Sequence, residues 1–395
     1  MPRHMLTGSD IMVLKLSSGY NVGLRIGSSS TLVLVGKASN SKPVRKPPGP
    51  SGLPQVSFLS TGGTIASYVD YKTGAVHPAV EAQDLVFSVP ELSDVCTVKS
   101  RILASILSED MTPDMWMSLA DAVVEEFASG SMGVVIPHGT DTLGYTSAAL
   151  SFLLRDLPGP VVLVGSQRSS DRPSSDASMN LLAAARTAMA PFGEVVAVMH
   201  DSTSDARCAI HRGTRVRKMH TSRRDAFRSV NAPSVGYVED EVTIMDDVRP
   251  ASEASAGVKG RMEPNVVLVQ AYPGITPGRF SNMVDGARGV VMAGTGLGHI
   301  ASSVVDEVKR LNSDGVIVAM ASQCLWGRTN LNVYSTGREL LCAGVVPCGD
   351  MLPETALVKL MWALGSSKDQ AEAKELMSSN IAGEMSERTT LEEAP

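Results

Sequence analysis

With 395 residues, 43% of them hydrophobic and 19% charged, the chain is too long for one ordinary domain and too apolar to be disordered. Its formal charge of −6 sets up no global field that favours nucleic acid, so any RNA contact has to be local or supplied by a partner. Five cysteines, Cys96, Cys208, Cys324, Cys342 and Cys348, form no CxxC pair, which argues against a zinc site or a disulfide framework and fits a reducing compartment.

The N-terminus, MPRHMLTGSD, has no apolar h-region, and no apolar run reaches the ~20 residues of a membrane span. The expectation is a cytoplasmic protein without membrane contact. Residues 11–35 carry three short β-like runs, IMVLKL, NVGLRI and TLVLV, separated by Ser/Gly turns. They predict a small β-barrel-like module over 1–40. The stretch 41–54 is rich in proline and reads as a linker.

From residue 55 apolar strands alternate with amphipathic helices. VSFLS, GVVIP at 133–137, VVLVG at 161–165 and EVVAVM at 194–199 are strands; TPDMWMSLADAVVEEFA and TSAALSFLLRDL are helices. This is the texture of a parallel sheet covered on both faces. A polar stretch interrupts it at about 239–260, after which NVVLVQAYP, GVVMAGTG, a helix around HIASSVVDEVKRL and GVIVAMASQ resume the pattern. The sequence therefore predicts a larger α/β domain over 55–245 and a smaller one over 260–395.

Open α/β sheets bind ligands at the carboxyl ends of their strands, and four such ends carry polar groups here. VSFLSTGGT ends in Gly63 and Thr64; ILASIL leads to Ser108 and Glu109; VVIPHGTDT carries Gly139, Thr140 and Asp141; and the segment after EVVAVM leads to Lys218. Each has an ordinary structural explanation. Thr64 could cap a turn, Thr140 to Thr142 could cap the next helix, and the basic run from Arg212 to Arg228 could be a solvated face. Together they supply hydroxyls, a carboxylate and a lysine able to activate a hydroxyl. Backbone N–H groups of the glycine turn could receive an oxyanion. These residue types suit an amidase that needs no metal and no cofactor. They leave open which threonine attacks.

STGGTIAS and VVIPHGTDTLGYTSAALSFLL resemble the two signature motifs of the L-asparaginase/glutaminase family. The resemblance implies an asparaginase-like two-domain parallel-sheet core. It implies Thr64 as nucleophile, Thr140 and Asp141 as the second threonine and its aspartate, and Lys218, in VRKMHTSRRDAFRS, as the catalytic lysine. VGSQRSSDRPSSDASMNL is similar to a further stretch of the family pattern, and Ser108 and Glu109 fall on its substrate-binding pair. A mobile-loop tyrosine is expected nearby; Tyr68 and Tyr71 are the candidates, and Tyr71 is the choice. A residue from a neighbouring protomer often completes such sites. The matching region, GRTNLNVYSTG, offers Tyr334 and no acidic residue.

The front module, RGTRVRKMHTSRRDAFRS and PETALVKLMWALG resemble the D-type subunits of archaeal glutamyl-tRNA(Gln) amidotransferases. That resemblance implies hydrolysis of glutamine and a homodimeric core carrying two copies of an E-type partner. That partner would use ATP and Mg and would hold most of the tRNA(Gln). The sequence fits this division of labour, because it has no Walker A motif. GTGLGH at 294–299 lacks the full GxGxxG and reads as a tight strand-to-helix turn. A free-standing cytoplasmic L-asparaginase and a non-catalytic α/β binding module are the alternative readings.

Overall fold

The computed structural model describes residues 11–15, 21–25, 27, 52–62, 65, 67–69, 76–78, 89–168, 174–245 and 247–388. In the front module β1 (Ile11–Lys15) and β2 (Asn21–Arg25) form an antiparallel hairpin with Val13 opposite Gly23. The third expected run, TLVLV, and the linker at 41–51 lie outside the described residues.

Next come β3 (Gln55–Gly62), β4 (Ser67–Val69), β5 (Val76–Pro78), helix α1 (Leu92–Val95), β6 (Thr97–Ile106) and α2 (Pro113–Ala128). Then follow β7 (Gly133–Pro137), α3 (Leu143–Leu153), β8 (Leu154–Arg155), β9 (Val161–Val164), α4 (Ala177–Thr187), β10 (Val195–His200) and β11 (Cys208–Arg212). The ribbon β12 (Val216–Lys218) and β13 (Phe227–Ser229) precedes β14 (Gly236–Val238), β15 (Val242–Ile244) and β16 (Gly257–Val258). The second unit runs through β17 (Val266–Gln270), α5 (Pro277–Met283), β18 (Gly289–Gly294), α6 (Val305–Ser313) and β19 (Ile317–Ser322). It ends with α7 (Ser335–Cys342), β20 (Val346–Pro347), α8 (Pro353–Ser366) and α9 (Gln370–Ser378).

The larger sheet has the strand order β15-β14-β11-β10-β9-β7-β3-β6. It is parallel from β6 to β10, and its last three pairings are antiparallel. The polar stretch after 239 is thus not a simple interruption: it supplies the edge strand β15, and β16 pairs back onto β8. The smaller sheet, β17-β18-β19-β20, is wholly parallel. The helix expected around HIASSVV begins only at Ser302, as a 3-10 turn leading into α6.

Strand alternation builds three cores. Val134, Ile136, Val161 and Leu163 face one side of the large sheet, while Val135, Val162 and Val164 face the other. Both faces are buried, so these strands read as continuous apolar runs. The first core continues through α3 and α8 to Val291, Ile317 and Ala319 of the small sheet. Phe152 of α3 stacks on Trp362 of α8 at 5.7 Å, so the two units share one interior. No helix among the described residues is long and apolar enough to cross a membrane.

Candidate active site

The carboxyl ends of β6, β3 and β7 lie side by side, and the chain ties them together. Gly62, the last residue of β3, has φ 106°, and a side chain there would put its Cβ 2.6 Å from the Ile106 carbonyl oxygen. The register against β6 slips between Ser60 and Gly62. Thr61 Oγ1 donates to the Pro137 carbonyl at 3.2 Å. The glycine turn begins from this doubly anchored point. Its own Gly63 and Thr64, and Tyr71 beyond, lie outside the described residues.

The loop after β7 is held from beneath by a hydrogen-bond chain. Trp116 Nε1 donates to Thr146 Oγ1 at 3.0 Å, Thr146 Oγ1 lies 2.9 Å from His138 Nε2, and His138 Nδ1 lies 2.7 Å from the Gly139 carbonyl oxygen. The directions follow from the chemistry. The Thr146 hydroxyl receives the indole proton and gives its own to Nε2, so Nδ1 carries the proton that Gly139 accepts. Burial pushes the His138 pKa down to about 4, so the ring is neutral at pH 7.

Above this chain Gly139 lies against Ser108, where an added Cβ would come 2.6 Å from Ser108 Cβ. Thr142 Oγ1 donates to the Ser108 carbonyl at 2.6 Å. α3 starts without a side-chain cap, so the capping explanation for these hydroxyls is not what the structure holds. Thr142 is a cross-strand tie. Ser108 is buried at the start of a 3-10 turn, with Glu109 exposed beside it. Thr112 caps α2, accepting from Met115 N, and Pro113 follows it at the first helical position.

Lys218, the last residue of β12, meets this loop from the side. Its Nζ donates to Thr140 Oγ1 at 2.9 Å and to Asp141 Oδ1 at 2.7 Å. The lysine side chain is 16% exposed and the aspartate 69%. One end of the pair is therefore screened by solvent, and its worth lies in geometry more than in stability. As the neutral amine, Lys218 can take the proton of Thr140, and as the ammonium it can return it. Thr140 is backed by Gly165, where a Cβ would come 2.7 Å from its Cγ2. The Gly165 carbonyl accepts from Asn180 Nδ2 at 2.9 Å. Asp176 accepts from the backbone N–H groups of Gln167 and Arg168 at 3.0 Å each. The stretch that resembled a further part of the family pattern thus props the far side of Thr140.

The basic run around Lys218 is neutralised group by group. Arg212 pairs with Glu194 and Asp247, Arg215 with Asp350, Arg217 with Glu354, Arg223 and Arg228 with Asp225, and Arg224 with Asp205. The run is paired within the chain, with members that range from buried, such as Arg215 and Arg224, to exposed, such as Arg223. GTGLGH forms a tight turn closed by a bridge between Thr295 and His299. Tyr334 is 60% exposed and stands edge-on to the His299 ring at 5.0 Å. Among the described residues no group of three or more His, Cys, Asp or Glu side chains is placed to hold a metal.

Of the residues singled out in the sequence, Ser108, Gly139, Thr140, Asp141 and Lys218 are brought together, with Glu109 at the margin. The supports His138, Thr142, Thr146, Trp116 and Gly165 escaped the sequence reading. His138 and Thr142 sat inside a quoted motif, but nothing in the sequence pairs Trp116 with Thr146.

The chain is similar to known proteins in sequence and in fold. A family model described as asparaginase, N-terminal, matches residues 55–249; one for the glutaminase/asparaginase C-terminal domain matches 265–377; and one for the GatD N-terminal domain matches 1–35. The D-type subunit of the glutamyl-tRNA(Gln) amidotransferase of Pyrococcus furiosus is 50% identical over 98% of this chain and 90% of its own length. That of Sulfolobus acidocaldarius is 47% identical over 95% and 85%. Among solved structures, the thermostable L-asparaginase from Thermococcus kodakarensis superposes with a TM-score of 0.76 at 35% identity, covering 84% of this chain and 99% of that one. L-asparaginase I from Vibrio cholerae gives 0.74 at 28% identity, covering 85% and 99%. On this footing the chain belongs to the family of D-type subunits of glutamyl-tRNA(Gln) amidotransferases, on an asparaginase fold.

Proposed function

We propose that the chain is the glutaminase component of a tRNA-dependent amidotransferase. It hydrolyses glutamine to glutamate and ammonia, and the ammonia goes to an E-type partner that converts Glu-tRNA(Gln) to Gln-tRNA(Gln) with ATP. The observation that carries the reading is the Lys218 ammonium, held at 2.9 Å from the Thr140 hydroxyl and 2.7 Å from the Asp141 carboxylate beside the buried Ser108. A threonine hydroxyl attacks an amide carbon only with its proton removed, and this arrangement provides the relay.

In this reading Thr64 attacks the side-chain carbonyl of glutamine while the glycine turn with Gly63 receives the oxyanion; the C–N bond breaks to release ammonia, and water hydrolyses the resulting ester to glutamate and restores the Thr64 hydroxyl. Lys218, set by Asp141, moves the proton through Thr140. Ser108 and Glu109 take the substrate's α-carboxylate and α-amine, Gly139 keeps Ser108 close, and Tyr71 closes over the site. The chain itself uses no metal or cofactor; ATP and Mg serve the partner. The assembly is a heterotetramer in the cytoplasm: two copies of this chain, paired through the asparaginase-like core, and two of the E-type partner. The neutralised basic run supports the expectation that tRNA(Gln) is held mainly by the partner.

The test is ammonia release from glutamine and from asparagine, with and without the E-type partner and Glu-tRNA(Gln). Glutamine turnover that rises with partner and tRNA is expected. Fast asparagine turnover indifferent to both would make the chain a free-standing asparaginase. Lys218→Ala should lower turnover on the order of 10²–10⁴-fold with folding intact; normal turnover would remove the relay.

A further inference from the structure

The ribbon that bears Lys218 is not part of the large sheet. β12 and β13 pair only with each other among the described strands. A two-stranded ribbon is marginal by itself; Val216, Ala226 and Phe227 seat this one on the first core, and the turn ahead of β12 sets where the strand carries Lys218.

The turn that feeds β12, residues 213–215, is gripped from two sides. From within, Ser147 Oγ of α3 donates to the Gly213 carbonyl at 2.7 Å, and Gly213 N donates to Val195 O at 2.9 Å. From without, it is gripped by α8, whose Thr355 Oγ1 donates to the Thr214 carbonyl at 2.9 Å, by Asp350, and by the chain after α9. Thr214 Oγ1 donates to the Ala382 carbonyl at 3.0 Å. Arg215, 2% exposed, donates to the Gly383 carbonyl at 2.8 Å, to Asp350 Oδ2 at 3.0 Å and to Ser386 Oγ at 2.9 Å. The segment is itself well anchored. Glu384 and Lys359, both 0% exposed, pair at 2.5 Å, and Glu384 accepts from the backbone N–H groups of Ile381 and Ala382. Ser386 N donates to Asp350 Oδ1 at 3.0 Å. Residues 379–386 lie beyond the matched C-terminal domain, which ends at 377.

We propose that residues 379–386 are a positioning element for Lys218. They clamp the Thr214–Arg215 turn and so set where the ammonium stands relative to Thr140 and Asp141. Arg215 and Ser386 are positioning residues: they touch neither the proposed substrate nor the reacting atoms. The proposal rests on the reading of Lys218 as the proton relay.

A double-mutant cycle on the full chain in its complex tests it. Arg215→Lys keeps a cation beside Asp350 but gives up the planar fork that holds Gly383 and Ser386. It should lower kcat for glutamine roughly 10- to 10²-fold, with KM held within about twofold, since a misplacement of about 1 Å suffices for such a loss. Ser386→Ala deletes one clamp bond at a half-buried site and should show a smaller loss of the same kind, restored by Ser386→Thr. In a Lys218→Ala background neither substitution should change residual turnover by more than about twofold, because the group they position is gone. Equal losses in both backgrounds, or no loss in either single variant, would overturn the clamp while leaving the relay standing. Full activity of Lys218→Ala alone would instead overturn the relay, and the clamp's catalytic role with it.

Discussion

The loop at 138–142 and the ribbon at 216–229 contribute to one site but are held by different means. The loop grows from β7, an interior strand of the large sheet whose five residues are all buried. Its position is inherited from the packed core, and His138, Thr142 and Gly139 only refine it. The ribbon lies outside the large sheet. Val216, Ala226 and Phe227 seat it on the first core and His211 of β11 bonds Ser229, while tethers complete its placement: an internal one from Ser147, an external one from 379–386, and the Arg217–Glu354 pair at 3.3 Å. A core resists displacement collectively, whereas tethers can be removed singly. The loop should therefore register damage as lost stability together with lost activity, and the ribbon as lost activity with less change in stability.

The largest effect expected on the loop side is from Gly139→Ala. The new Cβ would lie 2.6 Å from Ser108 Cβ, a contact that forces the two strand ends apart. Activity should fall on the order of 10²-fold and stability by about 1–3 kcal/mol, read from kcat/KM and from denaturant midpoints on the same samples. Near-normal values of both would mean that the strand ends are not rigidly juxtaposed, and the contrast with the ribbon would collapse. On the ribbon side, Arg217→Gln deletes an ion pair whose arginine is 36% exposed and whose glutamate is 11% exposed. Partial screening limits the stability loss to about 1 kcal/mol, with a several-fold fall in turnover expected from the loosened β12. A stability loss larger than that of Gly139→Ala would reverse the assignment of core and tether.

This division also explains what was legible in the sequence. The strands β3, β7, β9 and β10 were readable because burial on both faces writes itself as unbroken apolar runs. The site residues on their ends could be picked out by counting to the last apolar residue. Lys218 was the weakest of the four strand-end candidates, since a three-residue strand between turns leaves no periodic signal, and the family resemblance gave it its role. The clamp was invisible: Arg215 and Asp350 are 135 residues apart in the chain, and nothing in either neighbourhood announces the other. The same limit applied to the basic run, where a cluster of arginines looks alike whether it faces solvent or carboxylates on distant strands. The antiparallel edge beyond β10 was missed for a related reason, because short strands such as β14 and β15 are specified by their partners more than by their own composition.

One buried histidine lies within the loop and another against the ribbon, which gives an acid test of the comparison. His138 lies under the loop, and His211 on β11 is hydrogen-bonded to Ser229 Oγ of the ribbon at 2.9 Å. Burial pushes both down to about 4, and for His211 the nearby Arg228 adds to it. A histidine whose folded pKa lies below its unfolded value stabilises the fold above the unfolded pKa, near 6.5, and loses that contribution as pH falls from there toward 4. Each should therefore withdraw on the order of 3 kcal/mol across that window. Unfolding free energies measured at pH 7 and pH 4.5 should differ less in His138→Gln and in His211→Gln than in the parent chain. An unchanged difference in either variant would remove that histidine from the acid response.

The smallest expected effect is also the sharpest comparison, because it removes one hydrogen bond from each region. Trp116→Phe deletes the indole N–H that donates to Thr146 at 3.0 Å, and Ser386→Ala deletes the hydroxyl that accepts from Arg215 at 2.9 Å. Each bond is worth about 1 kcal/mol net. Without its indole donor Thr146 still donates to His138, and β7 still holds the loop, so Trp116→Phe should cost about 1–2 kcal/mol, including the smaller ring, and leave kcat within about twofold. Ser386→Ala should cost no more stability than that and yet lower kcat further, because the bond it removes helps fix the turn that feeds β12 and Lys218. The quantity to compare is the change in activation free energy per unit of lost stability, from kcat and unfolding curves of the two variants. A higher ratio for Ser386→Ala places the site's mechanical sensitivity in the ribbon. A higher ratio for Trp116→Phe would place it in the loop and would mean that the central sheet transmits strain to Thr140 more effectively than the tethers do to Lys218.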